Sequence, residues 1–236
     1  MGDVLINGDA LTGPIPLDPV VDGIARRPRA RGWIHLVSAV VAVFAGVALV
    51  RGAWMSPSER AGWAASVYVA GVVAMFTVSA TYHRVEWGSP QAEKWMMRLD
   101  HSVIFLFIAA SYTPLAVLAL PPGVGAEVLT MVWAGALAGV ALKMCWPSAP
   151  RWVGIPLYLM LGYVAIWFAD ALLHGAGATV VALLIAGGVL YNLGAILYGV
   201  QWPNPWPATF GHHEFFHAFT VAAAACHFAA IWLIVH

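Results

Sequence analysis

Charge is what this sequence has least of. Only 9% of its 236 residues are Asp, Glu, Lys or Arg, and eleven basic side chains face eleven acidic ones, so the formal net charge is zero. A soluble globular chain carries about a quarter charged residues, so this one cannot clothe a water-facing surface of ordinary composition. The even balance leaves no basic face for a phosphate backbone, which excludes nucleic acid as a partner. Cysteine is scarce as well. Cys145 and Cys226 both fall inside apolar runs, where a free thiol behaves as a small hydrophobe, and two cysteines make no disulfide framework. A cleavable leader is not predicted either: residues 1–31 hold Asp3, Asp9, Asp18, Asp22, several prolines and then Arg26, Arg27, Arg29 and Arg31, not a short basic start followed by an apolar core. The expectation for 1–31 is a polar, mostly disordered cytoplasmic tail.

What the sequence does have is apolar length. Hydrophobic side chains make up 61% of it and the mean hydropathy is +0.81, the composition of a chain immersed in lipid. Apolar runs bounded by charge, Pro/Gly clusters or Trp fall at 33–52, 62–83, 99–120, 125–146, 152–174, 178–200 and 211–235. Each is about the 20 residues that a bilayer crossing takes. Trp33, Trp54, Trp63, Trp87, Trp95, Trp146, Trp152, Trp202 and Trp206 lie near the proposed ends, where indole favours the headgroup layer. The third and fourth runs are parted only by Pro121, Pro122, Gly123 and Gly125, which predicts a tight turn. The expected fold is therefore an all-α membrane protein, a seven-transmembrane-helix bundle over 32–236 with no room for a separate soluble domain.

Orientation follows from the basic residues. Arg26, Arg27, Arg29, Arg31, Arg84, Lys94, Arg98, Lys143 and Arg151 fall on the N-terminal side of the seven spans, and Arg51 and Arg60 on the other. The positive-inside tendency then places the N-terminus in the cytoplasm and the C-terminus outside, in the plasma (inner) membrane. No internal repeat of the kind found in secondary transporters is visible. Gly135 with Gly139 in the fourth run, and Gly188, Gly194 and Gly199 in the sixth, are read as sites of close helix packing.

Ionisable groups inside a bilayer are costly and face the bundle interior, so the few present carry the argument. The second run ends Ser79-Ala80-Thr81-Tyr82-His83, the third opens Leu99-Asp100-His101-Ser102, and the seventh opens His212-His213-Glu214-Phe215-Phe216-His217. Ser79 and His83 are four apart, as are His213 and His217, so each pair stands on one helix face. The topology brings all three clusters to one depth at the cytoplasmic end. Three imidazoles, His83, His213 and His217, with Asp100 and Ser79 beside them match a Zn2+ site that keeps a fourth position open for water.

Other polar residues receive plainer readings. His35, His101, His174 and His236 are read as interfacial or hydrogen-bonded, and Asp170 with His174 as solvated at the outer end of the fifth run. His227 lies 14 residues beyond His213, about 21 Å along a helix, too far to share a metal. His213-Glu214-Phe215-Phe216-His217 also spells HExxH, the metalloprotease helix in which Glu is the general base. That five-residue pattern is short, a protease would need a protein-sized cleft, and the simpler reading of Glu214 is a carboxylate at the cytoplasmic edge.

With Ser79xxxHis83, Leu99-Asp100-His101-Ser102, Ser111-Tyr112-Thr113-Pro114 and His213-Glu214-Phe215-Phe216-His217 in this order, the chain from about Trp33 to its end resembles the bacterial haemolysin III family. That group is similar to the progestin and adipoQ receptors and, more remotely, to the alkaline ceramidases. The resemblance implies seven helices, an inside N-terminus and a cytoplasmic zinc, with His83, His213 and His217 as ligands and Ser79 and Asp100 next to the metal or its water. Function is left with three readings. The first is a lipid-directed amide or ester hydrolase acting in membrane homeostasis, with membrane lipid as partner, Asp100 handling the water proton and Ser79 steadying the water or the oxyanion. The second is a non-enzymatic membrane sensor with a structural zinc. The third is a pore-forming cytolysin, against which the almost wholly apolar middles of the first, fourth and sixth runs argue.

Overall fold

The computed structural model describes residues 28–236; the expected tail over 1–27 lies outside the described residues. Nine helices occur among them: α1 (Trp33–Met55), α2 (Glu59–Arg84), α3 (Pro90–Pro114), α4 (Pro122–Cys145), α5 (Arg151–Gly162), α6 (Val164–Trp167), α7 (Ala169–Ala176), α8 (Ala178–Val200) and α9 (His212–Val235). Six are long and apolar enough to cross a membrane, and α5 to α7 make a seventh span if the bent segment is counted as one. The chain is thus an all-α membrane protein.

Two boundaries differ from those the sequence suggests. The third helix starts at Pro90, nine residues before its apolar run, because Ser89 caps it by accepting from the Ala92 N–H at 3.2 Å and Pro90 takes the first turn, where no N–H is needed. The fifth run is not one helix but turns by 62° where Trp167 gives way to Ala169. A break inside a membrane leaves backbone groups that only protein can satisfy. At the earlier interruption, between α5 and α6, Tyr112 of α3 does this: its hydroxyl accepts the Ala165 N–H at 2.8 Å and donates to the Gly162 carbonyl at 2.5 Å. Past Pro114, α3 continues as a π-helical turn over Leu115–Ala119 before the short link to α4, the tight turn expected there.

Packing follows the logic of lipid rather than of water. Hydrocarbon offers no gain for hiding a valine, so interfaces are built from small residues that let backbones approach. Accordingly Val37, Val41, Phe44 and Val47 of α1 point outward, while Ala61, Ala64 and Ala65 of α2 and Ala223, Ala224 and Ala230 of α9 are buried. The helix α3 is the most enclosed span. Gly139 of α4 lies against the Phe105 ring of α3, where a Cβ would come within 2.6 Å of Cγ, and Gly135 faces Leu161. The packing reading of this glycine pair holds. In the sixth run Gly194 similarly meets Phe219, whereas Gly188 has open space beside it, so packing explains the first and not the second.

The chain before α1 is fixed in place. Arg29 and Ala30 donate backbone N–H groups to Ala208 and Thr209, each at 3.1 Å, and Gly32, at φ 78°, turns the chain into α1. Residues 28–31 thus form a strap held against the loop before α9, whose carbonyls are acceptors that the sequence did not advertise.

Candidate metal centre

Connectivity brings together the starts of α1 and α9, the end of α2 and the stretch of α3 around Asp100, ten residues in from Pro90. At this end one group of three metal-capable side chains forms among the described residues, His83, His213 and His217, with one ring nitrogen of each within 4.8 Å of the others. Spacing accounts for half of this geometry. His213 and His217 sit one turn apart on α9, with ring centroids 4.3 Å apart. Tertiary packing supplies the rest, since His83 on α2 comes edge-on to His213 at 4.6 Å.

Asp100, buried on α3, lies beside this group, its Oδ2 3.9 Å from His83 Nε2. Ser79, one turn back from His83 and also buried, is within hydrogen-bonding reach of the Asp100 carboxyl. All five residues singled out by spacing thus share one site. The donor set fits a divalent ion of the zinc type: three imidazoles, a carboxyl group one contact further out, and a buried His213 Nδ1 with no hydrogen-bond partner. A hollow of about 290 Å³ adjoins the group, bordered by Arg31, His83, Asp100, Tyr198 and His213 among others.

Two residues matter here that the sequence reading set aside. His35 is not interfacial. It is buried and stacks flat on His217, with centroids 3.8 Å apart and planes 3° from parallel, and meets Phe76 edge-on. The available signal was a histidine within the first turn of a span otherwise almost wholly apolar. The second is Arg31, whose Nε donates to Glu214 Oε1 at 2.5 Å. The other oxygen of Glu214 accepts the Gly211 N–H at 2.8 Å, closing the N-terminus of α9. Glu214 is 1% exposed, so it is no edge carboxylate. Held by a cap and an ion pair, it is also in no position to act as the general base that HExxH would need.

The remaining histidines are more ordinary. His101 borders the hollow, and its carbonyl accepts from Tyr158 at 2.9 Å. His174 and Asp170 are exposed together, 3.5 Å apart, and His236 stacks on Trp232. His227 is far from the site, edge-on to Tyr191, as the helical rise requires.

The family model for haemolysin-III related proteins matches residues 24–228, so the likeness begins ahead of Trp33 and takes in the strap. Among individual proteins, the chain is 26% identical to "Hemolysin-3" of Bacillus cereus over 206 residues, 87% of this chain and 90% of that one. It is 28% identical to the human "Monocyte to macrophage differentiation factor" over 169 residues, 70% of this chain and 68% of that one. A rice (Oryza sativa subsp. japonica) "Heptahelical transmembrane protein ADIPOR2" is 29% identical over 191 residues, covering 74% and 82% of the two chains.

Proposed function

The chain belongs to the haemolysin-III related family, and from that premise and the histidine cluster we propose that it is a multi-pass membrane protein that binds zinc through His83, His213 and His217 and hydrolyses an amide or ester bond of a membrane lipid. In this reading the N-terminus and the metal centre lie on the cytoplasmic side of the plasma membrane. The observation that carries it is the meeting of three histidines from α2 and α9 beside a buried carboxylate from α3.

An ion bound there supplies Lewis acidity towards water and towards a carbonyl oxygen. The protein supplies the rest. The Asp100 carboxylate takes a proton from the attacking water and returns it to the leaving amine or alcohol. Ser79, beside it, steadies the carboxylate and can donate to the developing oxyanion. The polar hollow opens the site at the bundle end, where the carbonyl of a lipid reaches it without leaving the headgroup layer.

Metal content measured on protein in mild detergent tests this directly, with fatty-acid release followed on the same samples. About one zinc per chain is expected in the wild type and none in His83→Ala or His213→Ala. Asp100→Asn should keep the metal and lose release. Full turnover in Asp100→Asn would remove the hydrolase reading, and a wild type without metal would remove the site. The position of the ligands on two helices far apart in sequence supports a second reading, a sensor in which the ion ties α2 to α9. That reading is the one to keep if zinc is present, its removal lowers the melting temperature and no lipid is turned over.

A further inference from the structure

Arg31 has no part in the reading above, yet the chain goes to some length to fix it in the wall of the hollow. We propose that Arg31 makes this site select amphiphiles whose polar end carries a negatively charged oxygen group, a carboxylate or a phosphate ester. This rests on the reading that a lipid enters the hollow and adds the class of headgroup to it.

Among the described residues that line the hollow, Arg31 is the one Lys or Arg. Its backbone is pinned through Arg29 and Ala30 to Ala208 and Thr209. The turn at Gly32 packs so closely on α2 that a Cβ there would come within 2.9 Å of His83 Cβ and 2.8 Å of Arg84 Cγ. The arginine is therefore seated against the helix end that carries a metal ligand. Glu214 holds Nε, while the side chain keeps 22% of its surface and borders the hollow.

A guanidinium bound through Nε still has its terminal nitrogens, which form the planar fork that matches two oxygens of a carboxylate or phosphate. Capping of α9 does not require this residue, since Glu214 already takes the Gly211 N–H through its other oxygen. Asp100, the one carboxyl group among the described residues in the same lining, offers an anion no comparable fork of donors. A neutral headgroup gains no such contact.

The test uses metal-stripped protein in a nonionic detergent, so that neither turnover nor a bound ion contributes. Binding of dodecanoate, dodecyl phosphate and, as the neutral probe, dodecanol is followed by tryptophan fluorescence. The wild type is expected to bind at least one anionic probe about tenfold or more tightly than dodecanol, as a charge-assisted hydrogen bond implies. Preference for one anion over the other assigns the headgroup. Arg31→Gln combined with Glu214→Gln removes both charges together and is expected to abolish the preference with an unchanged melting temperature. Should that variant melt early, Arg31→Lys is read instead, with a preference reduced about threefold or more, because an ammonium cannot pair with two oxygens at once. Equal binding of all three probes by the wild type, or a preference surviving in the double variant or undiminished in Arg31→Lys, overturns the proposal. Because the ion is absent throughout, a failed hydrolase reading leaves this result standing, and the reverse also holds.

Discussion

The two ends of the bundle each hold a close acid and base pair, and the pairs have little else in common. Asp170 and His174 lie 3.5 Å apart one helical turn from each other, with side chains 91% and 76% exposed. Arg31 and Glu214 are 183 residues apart in sequence and meet where Glu214 is 1% exposed. Water screens the first pair and can replace either partner. No water replaces a partner of the second, so loss of one member leaves a charge stranded among helix ends. Both pairs lie within ion-pair distance; burial decides whether that is structural.

Substitutions can break or sharpen this contrast. The largest effect is expected at the metal centre itself, where His217→Ala should reduce bound zinc from about one per chain to none, read by elemental analysis. Next comes Arg31→Ala, which leaves Glu214 unpaired and should cost about 3 kcal/mol, read as a lowered melting temperature in detergent. Replacing both Arg31 and Glu214 by glutamine should return that loss and leave the melting temperature at the wild-type value, and failure to do so would show that the pair is not a unit. Tyr112→Phe removes the hydroxyl's hydrogen bonds to Leu161, Gly162 and Ala165 at the interruption between α5 and α6 and should cost about 1–3 kcal/mol, with faster hydrogen exchange at Ala165 as the local readout. Smallest of all, Asp170→Asn and His174→Ala should leave the melting temperature unchanged. A clear drop in either would mean that exposure is a poor guide in this bundle.

Much of the site was legible because it is written in short spacings. The i, i+4 pairs Ser79/His83 and His213/His217 are one-face geometries on any helix, and alternate crossings bring the ends of the second, third and seventh runs to one side. Only the actual meeting of His83 with His213 needed the folded chain. His35 was misread because a single histidine carries no periodic partner; its significance lies in the flat contact with His217. Glu214 was misread for a related cause. Its position at the start of a span suggested solvent, whereas the strap that covers it comes from the far end of the sequence.

The fifth span shows the limit from the other direction. Hydropathy sums over a window and does not register direction, so an apolar run that bends by 62° reads the same as a straight one. A few residues before the bend the helix is also interrupted between α5 and α6, and there a tyrosine hydroxyl on another helix satisfies the opened backbone. By itself, then, the sequence determined the solvent this protein folds in, the length and number of its apolar runs, and a pair of histidines on one face of the last of them, since each depends on composition or on spacing within one helix. The tertiary structure alone decided that the strap carries Arg31 onto Glu214, that His35 backs His217, and that Tyr112 braces the interruption between α5 and α6. Those outcomes depend on which residues meet across the bundle, and no local periodicity encodes that.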